Sequence, residues 1–405
     1  MIEPQSSNEP RAIPSQSAGG AEETLDNSAP VGSTSIARRL GKIPGLDGMR
    51  GIAAAIVVVC HFDVILPLPT FAVVPGGTVP LDMFFVLSGF LITCLLLREQ
   101  SKNGRIGKWA FYERRILRLV PALVVVLAVQ AVFAWLEGIS FHEEWTSVSS
   151  VLFYYSNWKL AFNSNVFGGN IANGLQQMWS LSFEEQFYLI WPWVTIFLLT
   201  IRTKLSTVVF VLIGSMALIE IHMALMYHGI ASWYADFIRT DTRAGSILMG
   251  CLLAHIWVRG REPKRYVTLA AWIAGLFLLA CLPFAGTTGP FLYRGGFIAI
   301  DLACAIIILA IVDGRWGGRH LFELKPLVLL GVISYGVYLW HLPILFAIRY
   351  YGPHWNDIVK VVVAVVATLG LSIASWFLVE RPFMRMKNRR EMVDRIPESI
   401  DAQKS

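Results

Sequence analysis

Apolar residues run through this chain in long blocks separated by short polar stretches, and most blocks have the length of a bilayer crossing. A spanning helix needs about 20 predominantly apolar residues. Such segments lie near 46–66, 80–98, 117–137, 179–200, 205–227, 241–258, 266–284, 293–313, 327–349 and 358–379. The pattern predicts an all-α polytopic membrane protein with about ten transmembrane helices. Residues 146–163 are partly apolar but are broken by Asn157 and Lys159, so they read as an interfacial or re-entrant segment. Residues 1–42 are rich in Ser, Glu, Pro and Gly, have no apolar signal-peptide core, and read as a disordered cytoplasmic tail. Residues 43–384 form one membrane domain, and 385–405 a cytoplasmic C-terminal tail.

Loop charges orient these segments. Arg38, Arg39 and Lys42 precede the first, and Arg98, Lys102, Arg105, Lys108, Arg114, Arg115 and Arg118 cluster between the second and third. Basic loops stay in the cytoplasm. Counting onward through ten spans brings Arg202 and Lys204, the RGREPKR run at 259–265, then Arg315, Arg319 and Lys325, and the tail from Arg381 to the same side. Both termini are therefore expected to be cytoplasmic. A crossing at 146–163 would turn every later basic loop outward. With 55% hydrophobic and 15% charged residues, the chain departs from the roughly 25% charge of soluble domains. Its net charge of +6 belongs to topology, so membrane lipids are its surroundings and nucleic acid is not expected as a partner. The five cysteines, Cys60, Cys94, Cys251, Cys281 and Cys304, lie in or beside apolar segments without paired spacing and suggest neither a disulfide framework nor a metal site.

Ionisable residues inside apolar segments are costly and mark functional sites. The stretch LDGMRGIAAAIVVVCHF at 46–62 carries Arg50 and His61 eleven positions apart. At ~100° per residue they share nearly one helix face, roughly 16 Å apart along the axis. Counted by depth, His61, Asp82, Glu184, Glu185, Asp241, Arg243 and His341 fall in the outer half, while Arg50, Arg114, Arg115, Arg118 and Glu380 lie near the inner surface. Histidine is suited to take a proton from a hydroxyl near neutral pH, with a carboxylate to orient it. Arginines suit phosphate groups, to which they donate paired hydrogen bonds. Blander alternatives stand beside these: a buried histidine as an interhelical hydrogen-bond partner, the arginines as topology determinants, Glu380 as a helix end before Arg381 and Pro382. Trp179 is either a packing anchor or a platform on which a sugar stacks. The long outer loop 138–178 is either a lid or a plain connection.

Taken together, LDGMRGIAAAIVVVCHF at 46–62, LDMFFVLSGFLIT at 81–93, RRILRLVPAL at 114–123, MWSLSFEEQFYLIWP at 178–192, DTRAGSILMG at 241–250, ISYGVYLWHLPI at 333–344 and VERPF at 379–383 resemble the acyltransferase-3 family of integral membrane O-acyltransferases. The blocks occur in that family's order. The resemblance implies transfer of an acyl group, commonly acetyl from acetyl-CoA, to a hydroxyl of an extracytoplasmic sugar or sugar-bearing natural product. It maps the functional arginine and histidine of the first helix to Arg50 and His61, the second basic motif to Arg115 and Arg118, and the acid of the SxEEQFY block to Glu184 or Glu185. Pro80 and Leu81 before Asp82, and Phe183 before the glutamates, depart from the family's pattern.

The mechanism so implied places acyl-CoA on the cytoplasmic side, its phosphates on Arg115 and Arg118 with Arg114 or Arg50 assisting. His61 would act as general base with Glu184 as its orienting carboxylate. Asp82, Trp179, Glu185, Asp241, Arg243 and His341 would line the acceptor. An acyl-enzyme on Ser88 or Ser182, or a transient acyl-histidine, is the covalent alternative. Acyl-CoA is a cosubstrate, and no tightly bound cofactor or metal is expected. The acceptor stays open among envelope polysaccharide sugars, glycolipids and glycosylated metabolites such as macrolides, and no pattern assigns an oligomeric state. The expected location is a bacterial inner membrane. The competing class is a transporter of a small anionic or sugar-like solute, against which stands the lack of a detectable repeat.

Overall fold

A computed structural model describes residues 41, 43–68, 74–162, 174–262 and 265–386. The expected tails lie almost wholly outside this range, as does the polar run 168–173. Among the described residues the protein is all α. Helix α1 is Pro44–Cys60, opened by Pro44, whose missing N–H is no loss at a first helical position. A 3₁₀ turn, His61–Val64, continues it. There follow α2 (Thr78–Asn103), α3 (Lys108–Leu136), α4 (Phe141–Leu152), α5 (Ser156–Phe162), α6 (Met178–Thr200), α7 (Leu205–Met226) and α8 (Trp233–Ile238). The remainder are α9 (Thr240–Val258), α10 (Val267–Phe284), α11 (Phe297–Asp313), α12 (Arg319–Phe322), α13 (Lys325–Val332), α14 (Ser334–Tyr351) and α15 (Asp357–Ser375).

A helix stands at each of the ten apolar segments. By length and composition seven can cross a membrane: α1 with its 3₁₀ turn, α2, α3, α7, α10, α11 with the turn before it, and α15 with the turn after it. The pair α13 and α14, bent by 73° at Ile333, makes an eighth if it is one span. Helices α6 and α9 are not among the seven. The 146–163 segment is split between α4 and α5, about 18 and 10 Å long at 1.5 Å per residue, and neither can span. Ser140 caps α4, its hydroxyl accepting the Glu143 N–H at 3.3 Å. Helix α5 packs on α6 below that helix's first turn. There Ser156 hydrogen-bonds Ser182 at 2.7 Å and the Gln186 amide donates to Asn157 Oδ1 at 2.9 Å.

Two apolar clusters fill the interior. One gathers α2, α6, α7, α9, α10 and α11; the other gathers α3, α14 and part of α15. Helix α1 serves both. Leu46, Met49 and Ala53, spaced three and four apart, face the first, while Ala54 and Val58 on the adjoining stripe face the second. The helix carrying Arg50 and His61 thus lies in the seam. Helices α2 and α9 approach closely through Gly89 and Gly250, where a Cβ would meet the Ile247 and Val86 carbonyl oxygens at 2.0 and 1.9 Å. Small residues permit this backbone approach between membrane helices.

Candidate active site

His61 lies just past the end of α1, where the α-helix tightens into the 3₁₀ turn. Its Nδ1 is 2.8 Å from the Val57 carbonyl oxygen. A carbonyl only accepts, so Nδ1 carries the proton and Nε2 of the neutral ring presents its lone pair. His341 on α14 has the same arrangement, with Nδ1 2.8 Å from the Tyr338 carbonyl oxygen. The two rings lie with centroids 5.2 Å apart, tilted by 59°. His341 is fully buried, and its Nε2 has no hydrogen-bond partner. With Nδ1 of both rings bonded to carbonyls, Nε2 of each is the atom that can receive a hydroxyl proton.

The second pole is a group of arginines and glutamates. Arg115 pairs with Glu185 at 3.4 Å, and its guanidinium lies 3.3 Å over the Tyr188 ring. Glu184 accepts from Ser88 Oγ at 3.2 Å and from the Tyr188 hydroxyl at 3.3 Å. Arg118 sits within electrostatic reach of Arg50, Arg115, Tyr188 and Glu380. Arg50 makes a long 3.6 Å contact to Asp47 and also reaches Glu184 electrostatically. Three guanidiniums therefore converge, and both ion pairs of Arg50 and Arg115 are long and part exposed. Along α1 this pole and His61 are separated by roughly 16 Å.

The convergence corrects the depth sorting made from sequence. Glu184 and Glu185 share a level with the arginines. The cause is the stagger of α3 against α6. Lys108 Nζ lies 4.0 Å from the Trp193 ring centroid, the Tyr112 hydroxyl donates to the Leu189 carbonyl at 2.7 Å, and Arg115 meets Glu185. These contacts step in opposite directions along the two helices, an antiparallel register that carries α6 about two turns past the start of α3. None of Glu184's contacts is His61. The groups that set the His61 ring are the Val57 carbonyl and, within electrostatic reach, Asp63.

The other expected site residues divide. Arg114, 100° round the helix from Arg115, pairs with Glu99 at 3.2 Å, and Glu99 also accepts the Gly107 N–H at 2.9 Å. It fastens the α2–α3 connection and so leaves the expected phosphate set. Asp82 and Arg243 pair with each other, 0% and 1% exposed. Asp82 also accepts from Thr78 at 3.0 Å and Ser246 at 3.3 Å, and Arg243 lies 3.8 Å over the Phe297 ring. The pair is sealed from the surface, so an acceptor does not reach it, which corrects that expectation. Trp179, 6% exposed, stands edge-on to Phe85 and Phe237 and is a packing residue, not a sugar platform. Asp241 is bound by Arg239 at 2.6 Å and His222 at 3.1 Å. Of the alternative nucleophiles, Ser182 is buried against Ser156, whereas Ser88 faces Glu184. Sequence reasoning gave no role to Asp63 or Tyr188. The ExxxY spacing that sets Tyr188 one turn after Glu184 was the available signal for the latter.

A family model described as an acyltransferase domain matches residues 43–377. The chain is 33% identical over 321 residues to the peptidoglycan O-acetyltransferase OatA of Listeria monocytogenes, covering 75% of this chain and 49% of that protein. It is 31% identical over 355 residues to the O-acetyltransferase OatA of Staphylococcus aureus, covering 85% of this chain and 57% of that protein. The chain thus spans about half the length of these relatives. No solved structure matches it.

Proposed function

The chain belongs to the acyltransferase-3 family, and from that premise we propose that it is a membrane O-acetyltransferase acting on a hydroxyl of a cell-wall glycan. The observation that carries the reading is the two-pole layout of α1. Converging guanidiniums of Arg50, Arg115 and Arg118 suit the phosphates of an acyl-CoA at one end, and His61 with a free Nε2 suits the acceptor hydroxyl at the other. An extended thiol-bearing arm lying along α1 would bring the thioester to His61. The hydroxyl oxygen attacks the acyl carbon as its proton passes to His61 Nε2. Collapse breaks the C–S bond, and the leaving thiolate takes the proton back. Glu184, held by Ser88 and Tyr188, would balance the arginines. His341 would accept a hydrogen bond from the glycan. The relatives' names make peptidoglycan the first acceptor to test. The basic loops support cytoplasmic termini in a bacterial inner membrane.

The test is purified protein in lipid nanodiscs with radiolabelled acetyl-CoA and a panel of peptidoglycan fragments, other envelope glycans and glycosylated metabolites. Covalent label on a glycan is the expected result. No covalent label in nanodiscs, with label crossing the membrane when the same protein is placed in sealed proteoliposomes, would replace the reading by transport.

A further inference from the structure

Helices α3 and α4 leave an apolar groove between them, a cavity of about 420 Å³. It runs from Val124 to Trp135, roughly 16 Å along the end of α3 opposite the basic start at Lys108, Arg114, Arg115 and Arg118. Leu127 and Ala131 form one wall, and Val148 and Leu152 of α4 form the other. Helix α4 is too short to span, so the groove lies where a connecting hairpin meets a membrane helix.

One residue breaks the apolar lining. Glu144 shares the groove face of α4 with Phe141, Trp145, Val148 and Leu152, spaced four, three and four apart. It is 6% exposed, and neither of its carboxyl oxygens has a hydrogen-bond partner among the described residues. Lys159 lies within electrostatic reach, but its ammonium donates to the hydroxyls of Thr146 at 3.3 Å and Ser147 at 3.4 Å. Burial pushes the Glu144 carboxyl up and Lys159 opposes the rise, so a second cation arriving beside it favours the charged form. A buried carboxyl without a bonded partner is costly, and one held against an open groove is placed to meet a ligand.

Trp135, Phe141 and Trp145 stand exposed at the rim of the groove. Phe141 and Trp145 stack at 6.2 Å with their planes 10° apart. Aromatic rings at a membrane interface are ordinary anchors. Rings gathered round a carboxyl do more, because the π faces and the carboxylate both attract an ammonium group. The aliphatic walls beneath them suit a hydrocarbon chain. An anionic head would be repelled by Glu144, and a neutral sugar would leave its charge unmatched.

We propose that this groove binds a phospholipid with a primary ammonium head group, phosphatidylethanolamine, its ammonium on Glu144 among the three rings and one acyl chain between α3 and α4. The bound lipid anchors the short α4 at the bilayer surface. Charge complementarity selects this occupant, and no part of the inference depends on acyl transfer.

The experiment places the full chain in phosphatidylglycerol nanodiscs with a trace of phosphatidylethanolamine carrying a photoreactive acyl chain. Labelled peptides are mapped by mass spectrometry, and thermal midpoints are measured with and without unlabelled phosphatidylethanolamine. Label is expected within residues 124–152, displaced by added phosphatidylethanolamine and not by a neutral glycolipid. Glu144→Gln keeps the shape and removes the charge, so labelling should fall about 10-fold, the worth of one charge-assisted hydrogen bond. Its midpoint in phosphatidylglycerol should be no lower than wild type, because a buried unpartnered carboxyl is gone. Phosphatidylethanolamine should raise the midpoint of wild type and leave that of Glu144→Gln unmoved. Val148→Trp, which fills the groove while keeping the carboxyl, should abolish the label too. Label spread evenly over the lipid-facing helices, undiminished label in Glu144→Gln, or equal displacement by the glycolipid overturns the inference. A Glu144→Gln midpoint well below wild type would assign the carboxyl to packing and overturn it as well.

Discussion

The protein buries arginine–carboxylate pairs in two regions of one helical bundle, and they are built in opposite ways. Around Arg115 the contacts are long, the side chains are 25% and 14% exposed, and two further guanidiniums stand near. Around Arg243 the pair is 1% and 0% exposed, the carboxylate takes further bonds from Thr78 and Ser246, and Phe297 covers the guanidinium. Removing a charge from water costs several kcal/mol per ion, and only close, well-bonded geometry repays it. Each arginine keeps its Nε without a partner among the described residues, but the Arg243 donor is sealed inside the bundle, whereas the Arg115 group reaches the surface. The same residue types are a fastener where they are closed off and a binding surface where they are open.

Substitutions can break or sharpen this contrast. The largest effect is expected from His61→Ala at the open region, a loss of ~10² to 10⁴ in turnover with an unchanged thermal midpoint. Normal turnover in that variant would sink the general-base role. Next, Arg243→Met at the closed region should destabilise the protein by ~3–5 kcal/mol, because it leaves Asp82 buried and unpaired. The double variant Asp82→Leu with Arg243→Met should recover most of the midpoint; a double variant no better than the single one would deny that the pair acts as a unit. Third, Arg115→Ala with Arg118→Ala should raise the half-saturating acyl-CoA concentration by ~10 to 10²-fold, the worth of one or two charge-assisted hydrogen bonds. Titrating donor and acceptor separately checks it, and an effect confined to the acceptor would place the arginines elsewhere. Smallest is Asp241→Asn. Its carboxylate is 36% exposed, so losing its ion pair should cost under about 1 kcal/mol and leave the acceptor KM unmoved. A large rise in that KM would return Asp241 to the acceptor site.

Much of the architecture was legible because apolar blocks state their own lengths. The break of 146–163 at Asn157 and Lys159 showed too, and Asn157 proves to be buried against α8 and α9 through the Ile238 carbonyl and Thr240. The Arg50 and His61 spacing was legible because α1 runs regularly from Pro44 to Cys60 and His61 follows directly in the 3₁₀ turn. What the sequence hid was relative placement between helices. The stagger of α3 on α6 moved Glu184 and Glu185 to the arginine level. No local pattern tells that Arg114 turns to Glu99 while its neighbour turns to Glu185. Trp179 could not be told from a sugar platform until Phe85 and Phe237 were seen against its edges.

The sealed pair has a consequence for how the protein is made. Asp82 and Arg243 are 161 residues apart in the chain, an interval that takes roughly 8–30 s to synthesise at ~5–20 residues per second. Throughout that time α2 has left the ribosome carrying, one turn after its start at Thr78, a carboxyl group whose partner does not yet exist. A carboxylate so near the helix end can stay at the headgroups, so its burial waits for α9. Newborn chains that stall before α9 expose an unpaired acid by which quality control can tell an unfinished protein from a finished one.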